Sequence, residues 1–294
     1  MASVKLGFIG FGEVGSTFTK AMSQHGADII VYDLLLDQPG QRERVAARIR
    51  ETGSEAASLR EVLDRSEYIL SAVLTQVAKE VARSCARYLK PGQVYVDLNS
   101  TSPAAKVEIG GIVEAAGAGF VEGAILGAVG ATGAATRILT AGERGQSVAD
   151  LLNSCGLNVS YYSPEIGKAS MFKMLRSIFS KGLEALILEL LVAGKRAGIE
   201  QDLWEDIVDF MSKKPFDRIA SNWVQSHAVA HERRYHEMLQ VVETMEEIGI
   251  EPVMTKGTEA LFARSVSMNM KKAFSEKPDL MDPVITFIEK RLRD

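Results

Sequence analysis

A chain of 294 residues, 46% hydrophobic and 24% charged, has room for two domains of ordinary size and lacks the bias of a disordered or fibrous protein. Its 34 basic and 38 acidic residues are spread along the sequence for a formal net charge of -4, so no basic stripe can neutralise a row of phosphates and nucleic acid is not expected as a partner. Cys85 and Cys155 stand far apart with no Cys or His at ligand spacing, which predicts neither a disulfide framework nor a metal site and fits a reducing cytoplasm.

The N-terminal "MASVKLGFIGFG" is too short and too broken by glycine for a signal peptide or a membrane span, so no membrane partner is expected. An apolar run from Val4 to Ile9 leads into "GFIGFGEVGS" at residues 7 to 16. From Gly12 to about His25 the spacing turns helical, with Val14, Phe18 and Met22 four apart, and "DIIVYD" at 28 to 33 reads as a second buried strand. Strand, turn, helix and strand close a β-α-β unit of about 30 residues. Buried runs at 68 to 74, 93 to 100, 119 to 126 and 137 to 142 follow, separated by segments read as crossover helices, which predicts a doubly wound, mostly parallel sheet.

After "NVSYYSPEIG" the composition changes, and the proline-free stretch from Lys168 to about Ala197 predicts one long helix of about 45 Å. The expected boundary lies near Pro164, giving a dinucleotide-binding domain over 1–163 and a helical substrate and dimerisation domain over 164–294. The segments "LWEDIVDFM", "RIASNWVQSHAVAHERRYHEMLQVVETMEEIG", "VMTKGTEALFARSVSM" and "PVITFIEKRLRD" all read as helices, so this domain is expected to be all-α.

Each glycine of the loop has a task that a side chain would obstruct. Gly10 turns the chain out of the strand, Gly12 lets backbone approach a pyrophosphate, and Gly15 lets helix and strand pack closely. The following helix N-terminus supplies amide donors and the positive end of its dipole. Asp33, eighteen residues after Gly15, stands where a carboxylate accepts hydrogen bonds from ribose hydroxyls and repels a 2'-phosphate. This is an α/β Rossmann pattern with NAD preferred to NADP, although Arg42 and Arg44 keep NADP open. The expected cofactor-binding set is Gly10, Phe11, Gly12, Glu13, Val14, Asp33, Val73, Leu74, Asn99 and Ser100.

On the long helix Lys173, Ser177, Ser180 and Glu184 are spaced four, three and four apart and share one face. Moving a hydride from an alcohol carbon to nicotinamide requires a group that takes the hydroxyl proton, and a lysine does so where its surroundings lower its pKa. Lys173, flanked by Met171, Phe172, Met174 and Leu175, is the expected proton carrier.

The glycine loop with Asp33, "DLNSTSP" at 97 to 103, "VEGAILGA" at 121 to 128 and the lysine helix, in this order, resemble the β-hydroxyacid dehydrogenase and 6-phosphogluconate dehydrogenase superfamily over the whole chain. "KMLRSIFSKGLEAL" and "HERRYHEM" look like the branch whose 6-phosphogluconate-dehydrogenase-like Rossmann domain carries a C-terminal domain of unknown function. The resemblance implies that Lys173 is the catalytic lysine and that Ser100 and Thr101 contact nicotinamide or substrate. Gly123 and Ala124 then belong to the substrate loop, with Ser177 and Ser180 beside the substrate. The family's Asp-Ala-Pro-Val-Ser-Gly-Gly loop stands here as Glu122-Gly123-Ala124-Ile125-Leu126-Gly127-Ala128, with an apolar Leu126 in place of the serine. Ser180 stands where the phosphogluconate enzyme has a glutamate acid, and Glu184, one turn on, is the expected replacement.

"SHAVAHERRYHEM" places His227 and His231 one turn apart beside Arg233, Arg234 and His236. No third ligand of matching type accompanies them, so no metal is expected. In related dimers the helical domain of one subunit closes the site of the other, which makes His231 and Arg234 the expected contacts for a substrate anion.

These readings predict an NAD(P)-dependent dehydrogenase that oxidises a secondary alcohol of a hydroxy acid or sugar acid, a small anionic substrate, with decarboxylation as a following step. Two alternatives stand beside it: an imine reductase, which the apolar Leu126 suits, and a nucleotide-sensing protein without chemistry. Ile178, Leu183, Leu186, Leu188 and Leu191 put apolar residues on more than one side of the long helix, which predicts a homodimer.

Overall fold

Apolar runs alternate with helical segments in the computed structural model, which describes residues 5–293; Val4, counted above in the first strand, lies outside the described residues. In chain order come β1 (Lys5–Ile9), α1 (Glu13–Gln24), β2 (Asp28–Tyr32), α2 (Arg42–Glu51), β3 (Glu55–Ala56), α3 (Leu59–Arg65), β4 (Tyr68–Ser71) and α4 (Ala78–Ala86). They are followed by β5 (Val94–Asp97), α5 (Pro103–Ala115), β6 (Gly119–Ile125), α6 (Val129–Thr132), β7 (Arg137–Ala141), α7 (Gly145–Ser154) and β8 (Asn158–Ser163). Among the described residues these eight strands form one sheet in the order β3-β2-β1-β4-β5-β6-β7-β8.

The strands are apolar along their length because helices cover both faces of the sheet. Ile29, Val31, Val94 and Val96 enter one core cluster, while the alternate residues Ile30 and Tyr95 enter another. Chain order reverses between β1 and β4, so the loops after these neighbouring strands border a crevice at their carboxyl ends.

One connection departs from the predicted crossovers. The segment between Ile125 and Arg137 holds only the four-residue α6 and a turn, too little for a crossover, and β7 therefore runs antiparallel to β6, with Glu122 opposite Ala141. β8 pairs parallel with β7 through "NVSYYS", a segment not counted among the expected strands. The two-residue β3 is likewise an addition to the expected sheet.

The long helix predicted from Lys168 is α8 (Lys168–Ala197), and Gly198, at φ +75, turns the chain out of it. α9 (Glu200–Ser212), α10 (Phe216–Glu247), α11 (Val253–Ser267) and α12 (Asp282–Arg291) complete the chain. Two compact units divide between Ile178 and Phe179, inside α8. In the second, α10 packs with α11 and α12 around a small core of Ala228, Met268, Met270 and Val284. No helix among the described residues is long and apolar enough to cross a membrane.

Candidate active site

The glycine loop opens onto a cleft of about 660 Å³ at the β1/β4 crevice, walled by Gly10, Gly12, Tyr32, Asp33, Val73 and Leu74 among others. Gly10 has φ +95, and a Cβ there would meet the Ala72 carbonyl; one on Gly15 would run into the Gly10 carbonyl. A Cβ on Gly12 would meet nothing, so at this residue the backbone is open to a close approach by a ligand. Gly12 is also the N-cap of α1 and offers no side-chain cap, which leaves the first amides of a twelve-residue helix available. Open backbone, helix N-terminus and cleft together fit a dinucleotide.

Asp33 anchors this loop as well as lining the cleft. Its Oδ2 accepts from the Phe11 amide at 2.7 Å and its Oδ1 from the Leu35 amide at 2.9 Å. An ionised carboxylate keeps further lone pairs, so both oxygens remain able to accept from ribose hydroxyls. Among the described residues no lysine or arginine lines the cleft; Arg42 and Arg44 are exposed on α2 and absent from its wall. Beside Asp33, Tyr32 donates its phenol proton to Asp37, and burial together with that carboxylate pushes the phenol well above its usual range. Glu13, in the first turn of α1, also faces the cleft and lies over Gly130, while Val14 borders it and Leu74 is 74% exposed at its edge.

A buried polar network ties this cleft to the neighbouring strands. Asn99 accepts from the Val73 amide at 2.7 Å and donates to Asp97 Oδ1 at 2.5 Å. Lys106 is fully buried, and its Nζ donates to the Asp97 carbonyl at 2.7 Å and the Gly123 carbonyl at 3.4 Å. Asp97 Oδ2 stands 3.4 Å from the same nitrogen, an ion pair without hydrogen-bond alignment. Burial pulls the Lys106 ammonium below its usual range, against the pull of Asp97 and Glu122. Neither Lys106 nor Asp97 was singled out in the sequence. A signal existed, because Lys106 occupies the buried face of α5 with Ile109, Gly110 and Val113, three, four and seven residues on.

Glu122, fully buried on β6, accepts from the Gly167 and Ser170 amides and from the Ser170 hydroxyl. It thereby satisfies backbone donors at the start of α8, as an N-terminal carboxylate does. One turn further on, Lys173 Nζ donates to Ser100 Oγ at 2.5 Å, joining two positions 73 residues apart. Ser100 follows Asn99, so the lysine meets the loop whose asparagine holds Val73 in the cleft wall.

The other expected site residues are placed differently. Thr101 is buried, its hydroxyl without a hydrogen-bond partner. Gly123 and Ala124 lie inside β6, Ala124 packing with Leu139, Ala141 and Ala169, and Leu126 and Phe172 are partly buried against that cluster. The Ser177 hydroxyl donates back to the Lys173 carbonyl at 3.0 Å. Ser180 and Glu184 are exposed on α8 beyond Ile178, in the second unit. There His231 is buried, its Nδ1 3.0 Å from the His227 carbonyl and its Nε2 without a hydrogen-bond partner, while Arg234 lines a separate groove.

Residues 5–163 match the NAD binding domain of 6-phosphogluconate dehydrogenase. The chain belongs to this family. Residues 195–265 match a domain of unknown function (DUF1932), the pairing expected from the motifs. Among relatives of this 6-phosphogluconate-dehydrogenase-like chain, an uncharacterised 28.5 kDa protein of Methanothermus fervidus is 28% identical over 260 residues, 88% of this chain and 98% of the relative. Mitochondrial 3-hydroxyisobutyrate dehydrogenase of Mus musculus is 26% identical over 70% of this chain, and the match spans 62% of that enzyme. Two solved structures bear on the fold. MTH1747, a conserved protein of unknown function described as similar to 3-hydroxyacid dehydrogenases, is 32% identical, covers 92% of this chain and 98% of its own, and has a TM-score of 0.61. An imine reductase variant from Myxococcus stipitatus in complex with NAD+ is 20% identical, covers 98% and 100%, and has a TM-score of 0.78, a likeness of fold.

Proposed function

We propose that the chain is a nicotinamide-dependent oxidoreductase that interconverts a secondary alcohol of a hydroxy acid or sugar acid and the corresponding ketone, with Lys173 carrying the proton. The observation that carries this reading is the contact of Lys173 Nζ with Ser100 Oγ at 2.5 Å, next in sequence to the asparagine that holds the cleft wall. Bound in the cleft, the nicotinamide supplies the hydride acceptor. In the oxidising direction Lys173, as the neutral amine, takes the hydroxyl proton while Ser100 shares a hydrogen bond with it; in the reverse direction the ammonium returns that proton to the oxygen. NAD is the proposed cofactor, on the grounds that Asp33 suits ribose hydroxyls and that no cation in the cleft wall is placed to receive a 2'-phosphate.

Titration calorimetry with NAD+ and NADP+, followed by absorbance at 340 nm with a panel of hydroxy acids and sugar acids, tests the reading. Saturable NAD+ binding, about tenfold tighter than NADP+, and turnover with at least one acid are expected. NADH consumption with ketone plus amine, and none with ketones alone, replaces alcohol oxidation by imine reduction. Tight cofactor binding with no turnover of any kind replaces catalysis by nucleotide sensing.

The exposed apolar side chains of α8, Ile178, Phe179, Leu183, Leu186, Leu188 and Val192, are grounds for a homodimer, because so many on one helix call for a covering partner.

A further inference from the structure

Within the second unit, α10, α11 and α12 line an open groove of about 520 Å³, a size typical of small-molecule sites. Its wall is apolar on all three helices, with Trp223 and Val224 from α10, Leu261 and Phe262 from α11, and Val284 and Ile288 from α12. Two nitrogen-bearing side chains join them. His227 is held down to about 4 by burial and by the nearby His231 and Arg234, so it is neutral at pH 7, and its Nε2 shares a hydrogen bond of 2.9 Å with the Ser265 hydroxyl. That leaves Arg234 as the one cation of the wall among the described residues.

Both polar partners of Arg234 are neutral. One terminal nitrogen donates to Ser226 Oγ at 2.7 Å and the other to the Trp223 carbonyl at 3.4 Å. Glu237, three residues on, is paired with Arg233 instead, and among the described residues Arg234 forms no salt bridge. Glu237 acts on the guanidinium through space without an ion pair to it, so this apolar groove with one guanidinium complements a molecule with an apolar body and one negative charge. A carboxylate matches the planar fork of one arginine.

We propose that this groove binds a small monocarboxylate with an aromatic or branched aliphatic body, its carboxylate on Arg234 and its body among Trp223, Phe262 and Ile288. The groove lies in the helices of the domain of unknown function and in the α12 that follows, and its occupancy does not depend on hydride chemistry.

The test uses the full chain without nicotinamide, titrated calorimetrically with 4-phenylbutanoate and with the uncharged 4-phenylbutan-1-ol. The acid is expected to bind at one site per chain, about tenfold tighter than the alcohol, and Arg234→Met to abolish that difference while leaving alcohol binding unchanged. Trp223→Ala is expected to weaken both. Should Arg234→Met fail to fold, Arg234→Lys, which keeps the charge and loses the fork, is expected to weaken the acid alone. Equal binding of acid and alcohol, unaltered acid binding by the arginine variant, or no binding at 10 mM (on the order of the weakest useful affinities) overturns the proposal. Competition between the acid and chain dimerisation in sedimentation also overturns it, by making a second copy the occupant. NAD+ titration of the same variants keeps the two readings apart, since loss of cofactor binding counts against the dehydrogenase and not against this groove.

Discussion

Asp33 holds two backbone amides, those of Phe11 and Leu35, and presents its carboxylate to the cleft in which the ribose would sit. The two roles predict that Asp33→Ala weakens NAD+ binding by about tenfold or more while changing NADP+ binding far less, so the preference measured by calorimetry collapses. An unchanged NAD+/NADP+ ratio would remove Asp33 from the selector role. This residue was legible because its signal is local: a fixed distance from the glycines and a place at the end of a strand. Lys173 was legible by its helix face, but its contact with Ser100 was not, since 73 residues of chain separate them and only the fold brings them together. Ser177 shows what helical spacing leaves out. Helical spacing put its hydroxyl on the lysine face, yet a serine within a helix readily bonds to the carbonyl one turn back, and this one does. Lys106 escaped notice because a lone lysine on a helix is usually solvated, and its acceptors lie on strands far away in sequence.

Two helices have their first turns fixed by a carboxylate from elsewhere in the fold. Glu122 does this for α8, and Glu189 does it for α11, accepting from the Met254 amide at 2.7 Å, the Thr255 amide at 2.8 Å and the Thr255 hydroxyl at 2.6 Å. Glu122→Gln removes a buried charge that faces Lys106 and is expected to cost about 2–4 kcal/mol, roughly 5–15 °C in Tm, with faster amide hydrogen exchange at the start of α8. Unchanged exchange over 167–173 would show that Glu122 does not anchor that turn.

For Glu189 burial works to raise the carboxyl pKa, but the Thr255 hydroxyl and the amides of Met254 and Thr255 outweigh it and hold the group below its usual range. A depressed acid stabilises the fold fully above its unfolded pKa of about 4.3, and that contribution is lost as pH falls through the lower folded value. Glu189→Gln is therefore expected to lower the urea midpoint at pH 7, with the deficit shrinking as pH drops below about 4. A deficit constant with pH would contradict this. Element type was read well wherever periodicity was strong, as in α8 and the buried parallel strands. It failed at β8 and in the direction of β7, where polar residues on an outer strand and a short connection, rather than hydrophobic pattern, set the structure.

At the scale of the whole molecule, the first unit buries its apolar side chains on both faces of a sheet, while the second has a small core and leaves Leu183, Leu186, Leu188, Trp204 and Phe210 exposed. Sedimentation equilibrium is expected to give twice the mass of one chain at micromolar concentration, and Leu186→Glu to shift that equilibrium toward monomer. A parent chain that remains monomeric would show that this apolar surface is not a self-association face. Sequence patterning revealed the apolar excess on α8, since Ile178, Leu183 and Leu186 can be counted on a helix. What covers it is a property of an assembly, and no local spacing encodes that.

If Lys173 carries the proton of a nicotinamide-linked reaction, Lys173→Met differs from the parent in kcat and not in its NAD+ Kd. With the substrate found in the hydroxy acid panel, the variant is expected to bind NAD+ as the parent does while kcat falls by about 100-fold or more. A variant that keeps kcat within a few-fold of the parent while binding NAD+ normally contradicts the claim.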